Sequence, residues 1–138
     1  MGENMTKKAF FICPVRGADQ TETQKIIDEY EAKGWKIHFP PRDTNQNDKT
    51  GYRICNDNLN AIINSDVVFI YWDGKSQGGL FDAGMAFALG KPIKIISVPE
   101  ILYSKSFQDM FTEWEKLNNF DSARYNSSGE LWSDIYYD

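Results

Sequence analysis

The chain of 138 residues is 41% hydrophobic and 14% aromatic, which excludes intrinsic disorder and predicts one compact domain over residues 1–138. Its net charge of −5 disfavours a nucleic-acid polymer as partner, because such partners are bound by a basic surface. The apolar runs fall well short of the roughly 20 residues that span a bilayer, so we expect no membrane association and a cytoplasmic location.

The first half of the chain alternates between strand and helix patterns. Residues 8–13 are predicted to form a buried strand that ends at the loop 14–17, because proline and glycine interrupt regular structure there. Residues 19–33 carry apolar side chains at helical spacing. Residues 35–39 form a short second strand, and the polar segment 40–51 is predicted to be an irregular loop.

The alternation continues in the second half. Residues 54–64 are predicted to form a helix that leads into a strand at 65–72. A helix that is apolar almost all round opens at residues 78–79. A further strand is predicted at 92–98 and a further helix at 106–117, so the pattern implies an α/β fold with a mainly parallel sheet of four to five strands flanked by helices.

Two carboxylates lie where such a sheet binds ligands. Ligands bind beyond the carboxyl ends of parallel strands, which brings together the loop 13–17, Asp73-Gly74 and the start of the third predicted helix. Asp73 follows a buried strand, and Asp82 interrupts an apolar helix, where an ionised group is costly unless it is paired or faces a polar pocket. Asp82 as a helix cap and Asp73 as a turn residue are the alternatives.

A longer pattern resembles a known family. Ser-Asp-Val-Val at 65–68, Asp-Gly at 73–74 and Gly-x-x-Phe-Asp-x-Gly-x-Ala-x-Ala-Leu-Gly-Lys-Pro at 78–92 resemble the nucleoside 2-deoxyribosyltransferases and their relatives that hydrolyse nucleotide N-glycosidic bonds. The resemblance covers roughly residues 8 to 98. It implies a flavodoxin-like, doubly wound sheet and a carboxylate nucleophile at Asp82, where the family normally carries glutamate.

The resemblance also implies the remaining site residues. The 14–17 loop is similar to a Ser-Ile-Arg-Gly loop that holds a 5'-phosphate, which makes Arg16 the candidate phosphate ligand; a solvated surface arginine is the alternative. Asp73 and Asp57 are the candidate assisting acids. The candidate substrate-binding residues are Cys13, Pro14, Arg16, Gly17, Asn58, Gly74, Gly78, Gly79 and Gln108.

Two of these positions carry further implications. The family normally has an acid where this chain has Asn58. Asp57, directly before it, is the nearest substitute for that acid, but adjacent helix residues point about 100° apart. Relatives complete the pocket with a polar residue of a neighbouring subunit just before a methionine, and Gln108 before Met110 matches that pattern. The resemblance therefore implies a homodimer or a larger homo-oligomer.

The other notable residues favour structural roles. Cys13 and Cys55 lie far apart and His38 is the single histidine, so we expect neither a metal site nor a cofactor. His38 is expected to be structural. The aromatic residues Trp35, Trp72 and Phe81 are expected in the core, with one aromatic at the strand end available to stack on a base.

The sequence thus predicts an enzyme that cleaves or transfers the N-glycosidic bond of a nucleoside or a nucleoside 5'-monophosphate. A carboxylate attacks the anomeric carbon, and a second acid protonates the leaving base or activates the acceptor. A nucleotide-binding or sensing module that has lost turnover is the alternative, because Asp82 and Asn58 both depart from the family pattern. A flavin-binding protein is a third reading, which lacks a convincing phosphate loop after the first strand.

Overall fold

The computed structural model describes residues 7–118. Each strand of the sheet is followed by at least one helix. In chain order the elements are β1 (Lys8–Ile12), α1 (Thr21–Ala32), β2 (Lys36–His38), α2 (Pro40–Asp43), α3 (Tyr52–Ile63), β3 (Val67–Tyr71), α4 (Gln77–Ala88), β4 (Ile93–Ser97) and α5 (Phe107–Leu117). The predicted elements are confirmed within a few residues at each end, except that the predicted loop 40–51 begins with the short helix α2.

The four strands of the described region form one parallel sheet in the order β2-β1-β3-β4. Ile12 of β1 pairs with Ile70 of β3, so the ends of these two central strands lie side by side. The predicted parallel α/β sheet is confirmed. Because the order reverses between β1 and β3, their carboxyl ends form the crevice in which doubly wound folds bind ligands.

Both faces of the sheet are buried under helices. Ile62 of α3, Ala86 of α4 and Phe111 of α5 cover one face, and Ile27 of α1 covers the other. Strands covered on both faces are apolar in nearly every position. This explains why residues 9–13 and 67–72 form continuous apolar runs rather than alternating ones.

The first turn of helix α4 packs closely against the sheet. Ser76 caps its N-terminus, since the Ser76 hydroxyl accepts a hydrogen bond from the Gly79 backbone N–H at 3.1 Å. A Cβ atom on Gly79 would lie 3.3 Å from the Ile12 side chain. Glycine at this position therefore lets the first turn of α4 approach the ends of β1 and β3.

None of the helices within residues 7–118 is long and apolar enough to cross a membrane.

Candidate functional site

A cavity of about 530 Å³ opens beyond the carboxyl ends of β1 and β3. This volume lies within the range of small-molecule sites. Its lining combines three segments that are distant in sequence: the loop after β1, the segment from α2 to α3, and the loop after β3 with the start of α4. The lining residues are Cys13, Pro14, Val15, Arg16, Pro40, Gln46, Gly51, Ile54, Cys55, Asn58, Asp73, Lys75, Ser76, Gln77, Gly78, Gly79, Phe81 and Asp82.

The loop after β1 is held in place by polar contacts within the segment that leads into α1. The Gln20 side-chain amide donates to the Pro14 carbonyl at 2.8 Å, and the Ala18 N–H donates to the Val15 carbonyl at 3.3 Å. Arg16 lies exposed on the cavity wall, and no acidic side chain of residues 7–118 forms an ion pair with it. Its guanidinium is therefore available to an anionic group in the cavity.

Asp73 organises the loop after β3. Its Oδ1 accepts hydrogen bonds from the backbone N–H groups of Lys75 and Ser76, each at 2.8 Å. Burial alone would raise the pKa of Asp73, but these N–H donors and the nearby Lys75 charge outweigh it and hold the pKa below its ordinary value. Asp73 lines the cavity and is ionised at neutral pH, while it makes the contacts expected of a turn residue.

Gly74 completes this turn and does not line the cavity. Its φ of +85° suits glycine, and a Cβ atom there would lie 3.0 Å from the Pro99 ring. Gly17, which follows Arg16, has a φ of +68° and also lies outside the lining. Both glycines shape loops that carry lining residues.

Asp82 occupies the second turn of α4 and faces the cavity. Burial raises its pKa from an ordinary 3.8 to about 7, and a side-chain hydrogen bond from Asn58 partly opposes that rise. The Asn58 Nδ2 donates to Asp82 Oδ2 at 3.4 Å. The alternative that Asp82 caps the helix is wrong, because Ser76 holds the cap position.

Asn58 and Asp57 point in different directions from α3. The Asn58 side chain is 5% exposed and lines the cavity. Asp57 forms an ion pair with Arg53 one helical turn earlier and is not a lining residue. The carboxylates among the lining residues are thus Asp73 and Asp82.

Two thiols flank Asp82. Burial, together with the negative charge of Asp82, raises the pKa of the Cys13 thiol to about 12. Burial also raises the pKa of the Cys55 thiol above its ordinary value, and the negative charges of Asp82 and Asp48 add to that rise. Both groups are neutral thiols near pH 7, which makes them poor nucleophiles. No group of three or more His, Cys, Asp or Glu side chains within residues 7–118 is arranged to hold a metal ion.

The sequence prediction for one aromatic residue, Phe81, is wrong. Phe81 was expected in the core, but 58% of it is exposed and it lines the cavity. Trp72 is buried and packs edge-on against Phe107 and Phe111, as predicted. The two residues differ in side-chain direction, since Trp72 points into the sheet–helix interface whereas Phe81 lies on the side of α4 away from the core.

Several lining residues escaped the sequence analysis. Gly51, Ile54 and Cys55 precede Asn58 by seven, four and three positions, which places them along one side of α3. That spacing was the available signal. Pro40 and Gln46 belong to a segment without periodicity, so no sequence pattern could have placed them.

Gln108 lies outside the cavity of its own chain. Its side-chain amide donates to the Glu100 carbonyl at 3.1 Å near the start of α5. The predicted contribution of Gln108 to a site was to a neighbouring subunit, and the geometry of one chain does not bear on that prediction.

The chain is similar to known proteins in both sequence and structure. The family model for nucleoside 2-deoxyribosyltransferase matches residues 10–119. Among solved structures, the Clostridium botulinum CMP N-glycosidase BcmB is similar over 82% of this chain and 84% of that chain, with a TM-score of 0.52 and 19% sequence identity. At this identity the similarity shows a shared fold. A search of curated proteins found no match.

Proposed function

Because the chain belongs to the nucleoside 2-deoxyribosyltransferase family, whose chemistry is cleavage or transfer at N-glycosidic bonds, we propose that Asp82 is the nucleophile of this reaction. One observation carries the proposal. Asp82 is a desolvated carboxylate that faces the cavity at the β1–β3 crevice, with Asn58 as its hydrogen-bond donor and no cation paired with it among residues 7–118. A carboxylate without a cationic partner keeps its electron pair available for attack.

The reaction then proceeds by two displacements. An Asp82 oxygen bonds to the anomeric carbon as the bond from that carbon to the base nitrogen breaks, and the electron pair leaves with the base, which takes up a proton from solvent. Water, or the nitrogen of an acceptor base, then attacks the anomeric carbon, loses a proton to solvent and releases the Asp82 carboxylate. Asp73 is ionised at neutral pH, so we assign it to loop geometry rather than to proton donation. The proposal leaves Asp57 without a direct role, because its carboxylate is paired with Arg53.

We propose a nucleoside 5'-monophosphate as substrate. Arg16 and Lys75 place two positive charges on the wall of a cavity whose own carboxylates are Asp73 and Asp82. A phosphate held by a guanidinium gains charge-assisted hydrogen bonds. Phe81 presents an exposed ring to the same cavity, which suits stacking against a nucleobase.

Base release tests the nucleophile. The protein is incubated with nucleosides, deoxynucleosides and their 5'-monophosphates, and free base is measured by liquid chromatography. We expect release from at least one substrate, and its loss in Asp82→Ala and Asp82→Asn. Full activity in both variants would overturn the assignment of Asp82.

The same panel tests the phosphate contact. Arg16→Ala should lower kcat/KM for the 5'-monophosphate about 10- to 100-fold and leave the matching nucleoside unaffected. The unphosphorylated substrate is the internal control. An equal loss on both substrates would contradict a phosphate contact.

A second candidate is nucleotide binding without turnover. It is favoured by Asn58, an amide where relatives carry an acid, and by Asp57, which is engaged by Arg53 outside the cavity lining. A rise in melting temperature with nucleoside monophosphates and no base release would support it. Turnover that depends on Asp82 would exclude it.

We also propose that the chain forms a homodimer or a larger homo-oligomer. Phe87 is 61% exposed and Leu89 is 43% exposed on or next to α4, and exposed large apolar side chains that lie close together often mark an interface. Light scattering coupled to size-exclusion chromatography measures the mass. A monomer at micromolar concentration would contradict this proposal. The cytoplasmic location stays a prediction.

A further inference from the structure

A chain of hydrogen bonds runs from β2 to Asp82. His38 Nε2 lies 2.7 Å from Thr44 Oγ1, Thr44 Oγ1 lies 2.8 Å from Asn58 Oδ1, and Asn58 Nδ2 lies 3.4 Å from Asp82 Oδ2. Thr44 and Asn58 are 4% and 5% exposed. Residues of β2, of the loop after α2 and of α3 are thereby linked to one carboxylate on α4.

The chemistry of the groups gives this chain a direction. Asn58 Oδ1 only accepts hydrogen bonds, so the Thr44 hydroxyl donates to it. The Thr44 oxygen then accepts the N–H of His38 Nε2, which fixes that ring nitrogen as a donor. With Oδ1 held by Thr44, the Asn58 amide presents its N–H side to Asp82, and a flipped amide would set two oxygen acceptors against each other.

We propose that Thr44 and His38 are positioning residues, which hold the Asn58 amide with its N–H directed at the reacting carboxylate of Asp82. The expected effect on the reaction rate rests on the proposed function, whereas the orientation of the Asn58 amide rests on geometry alone. An N–H donor favours the ionised carboxylate, and the ionised form is the one that attacks. Each member of the chain beyond Asn58 therefore acts on Asp82 through the orientation of one amide.

The titratable groups around this chain of hydrogen bonds do not obscure the titration of Asp82. Cys13, directly after β1, and Cys55 of α3 are neutral thiols below pH 8, while Asp73, Lys75 and Arg16 share the cavity wall. The pKa of Asp73 is lowered, so Asp73 is ionised near neutral pH, where Asp82 titrates.

His38 itself faces Asp43, Arg42 and Asp57, and burial is the main cause that lowers its pKa. Protonation of His38 occurs at Nδ1, because Nε2 already carries the hydrogen given to Thr44. The Nε2–H bond is thus present in both charge states of His38, and the chain keeps its direction across the titration of Asp82.

The test is a carbon-13 NMR titration of the Asp82 carboxyl group in the full chain, assigned with Asp82→Asn. Thr44→Val keeps the side-chain shape and removes the hydroxyl, and it should raise the Asp82 midpoint by about 0.5 to 1 unit. Thr44→Ser restores the hydroxyl and should restore the midpoint. Ser65→Ala removes another buried hydroxyl, bonded to the Ala61 carbonyl at the opposite end of the sheet, and should titrate like the unsubstituted protein.

Base release supplies the kinetic readout. Thr44→Val should be about 3- to 10-fold slower at pH 6 and equal to the unsubstituted protein at pH 9, where Asp82 is ionised in both. Thr44→Ser should follow the unsubstituted profile. A loss of rate that is the same at both pH values, or that serine fails to rescue, would overturn the positioning role.

His38→Phe tests the start of the chain and also serves if Thr44→Val does not fold. It keeps a ring that can stack on Phe10, whose centroid lies 5.4 Å from that of His38, and it removes the Nε2–H. We expect a smaller rise of the Asp82 midpoint in the same direction; an unchanged midpoint would overturn the role of His38. Failure of base release with every substrate would refute the proposed function, whereas the NMR titration would still decide whether Thr44 orients Asn58.

Discussion

The carboxyl group of Asp82 makes the free energy of unfolding depend on pH, and Asp82→Asn should remove that dependence. Burial raises the pKa of Asp82 to about 7 from an ordinary 3.8. A group whose pKa is raised on folding stabilises the folded state fully only below its unfolded pKa. This contribution is lost as the pH rises through the folded pKa, so ionised Asp82 opposes folding above pH 7.

The size of the effect follows from the shift. About 3 units correspond to about 4 kcal/mol against folding when Asp82 is fully ionised. Because Asp82 faces a cavity that admits water, screening reduces this figure, and we expect about 2 kcal/mol at pH 8. At pH 5 the folded carboxyl is protonated whereas the unfolded carboxyl is ionised, which favours the unfolded state by about 1 kcal/mol. Asparagine has nearly the same shape and carries no charge.

Urea unfolding at pH 5, 6, 7 and 8 measures the difference. Asp82→Asn should be more stable than the unsubstituted protein by about 2 kcal/mol at pH 8 and by less at pH 5, while base release is abolished. Asp73→Asn is the matched control: the pKa of Asp73 is lowered, so its contribution is present above its unfolded pKa and is constant between pH 6 and 8. A stability gain in Asp82→Asn that does not grow with pH, or a loss at pH 8, would refute the reasoning.

Three further substitutions test the frame of the site. Gly74→Ala should lower the free energy of unfolding by about 1–2 kcal/mol, because φ is +85° and the new Cβ would lie 3.0 Å from the Pro99 ring. Ser76→Ala should cost about 1 kcal/mol through loss of the α4 cap; urea unfolding measures both, and no loss would contradict them. Phe81→Ala should change stability by less than about 0.5 kcal/mol, since 58% of Phe81 is exposed, yet raise KM for base release; an unchanged KM would exclude stacking.

The sequence carries most of the fold in local patterns. The apolar runs at 9–13 and 67–72 mark strands covered on both faces, and the alternation with helices favours parallel pairing in the sheet. Helix α2 could not be predicted from periodicity, because it spans only Pro40–Asp43 and depends on Asp43, whose Oδ2 accepts the Phe39 N–H at 2.8 Å. Four residues are too few to show a helical repeat.

The site was predictable where topology determines it. Asp73 and Arg16 follow strands whose ends must meet, so their presence at one cavity follows from the parallel sheet. The failures concern side-chain direction. Phe81 and Asp82 are neighbours in an apolar helix, and only the packing of α4 decides which of them faces the core, the cavity or solvent.

Asn58 shows how a departure from the family pattern fits the chemistry of this chain. Two carboxylates close together raise the pKa of one of them, because both cannot be ionised at low cost. An amide in place of the acid does the opposite, since its N–H donates to Asp82 and lowers the pKa that burial has raised. Asp82 beside Asn58 is therefore ionised at a lower pH than the same aspartate beside a second acid. The amide needs a fixed orientation to act in this way, and the Thr44 hydroxyl, which accepts from His38, supplies it.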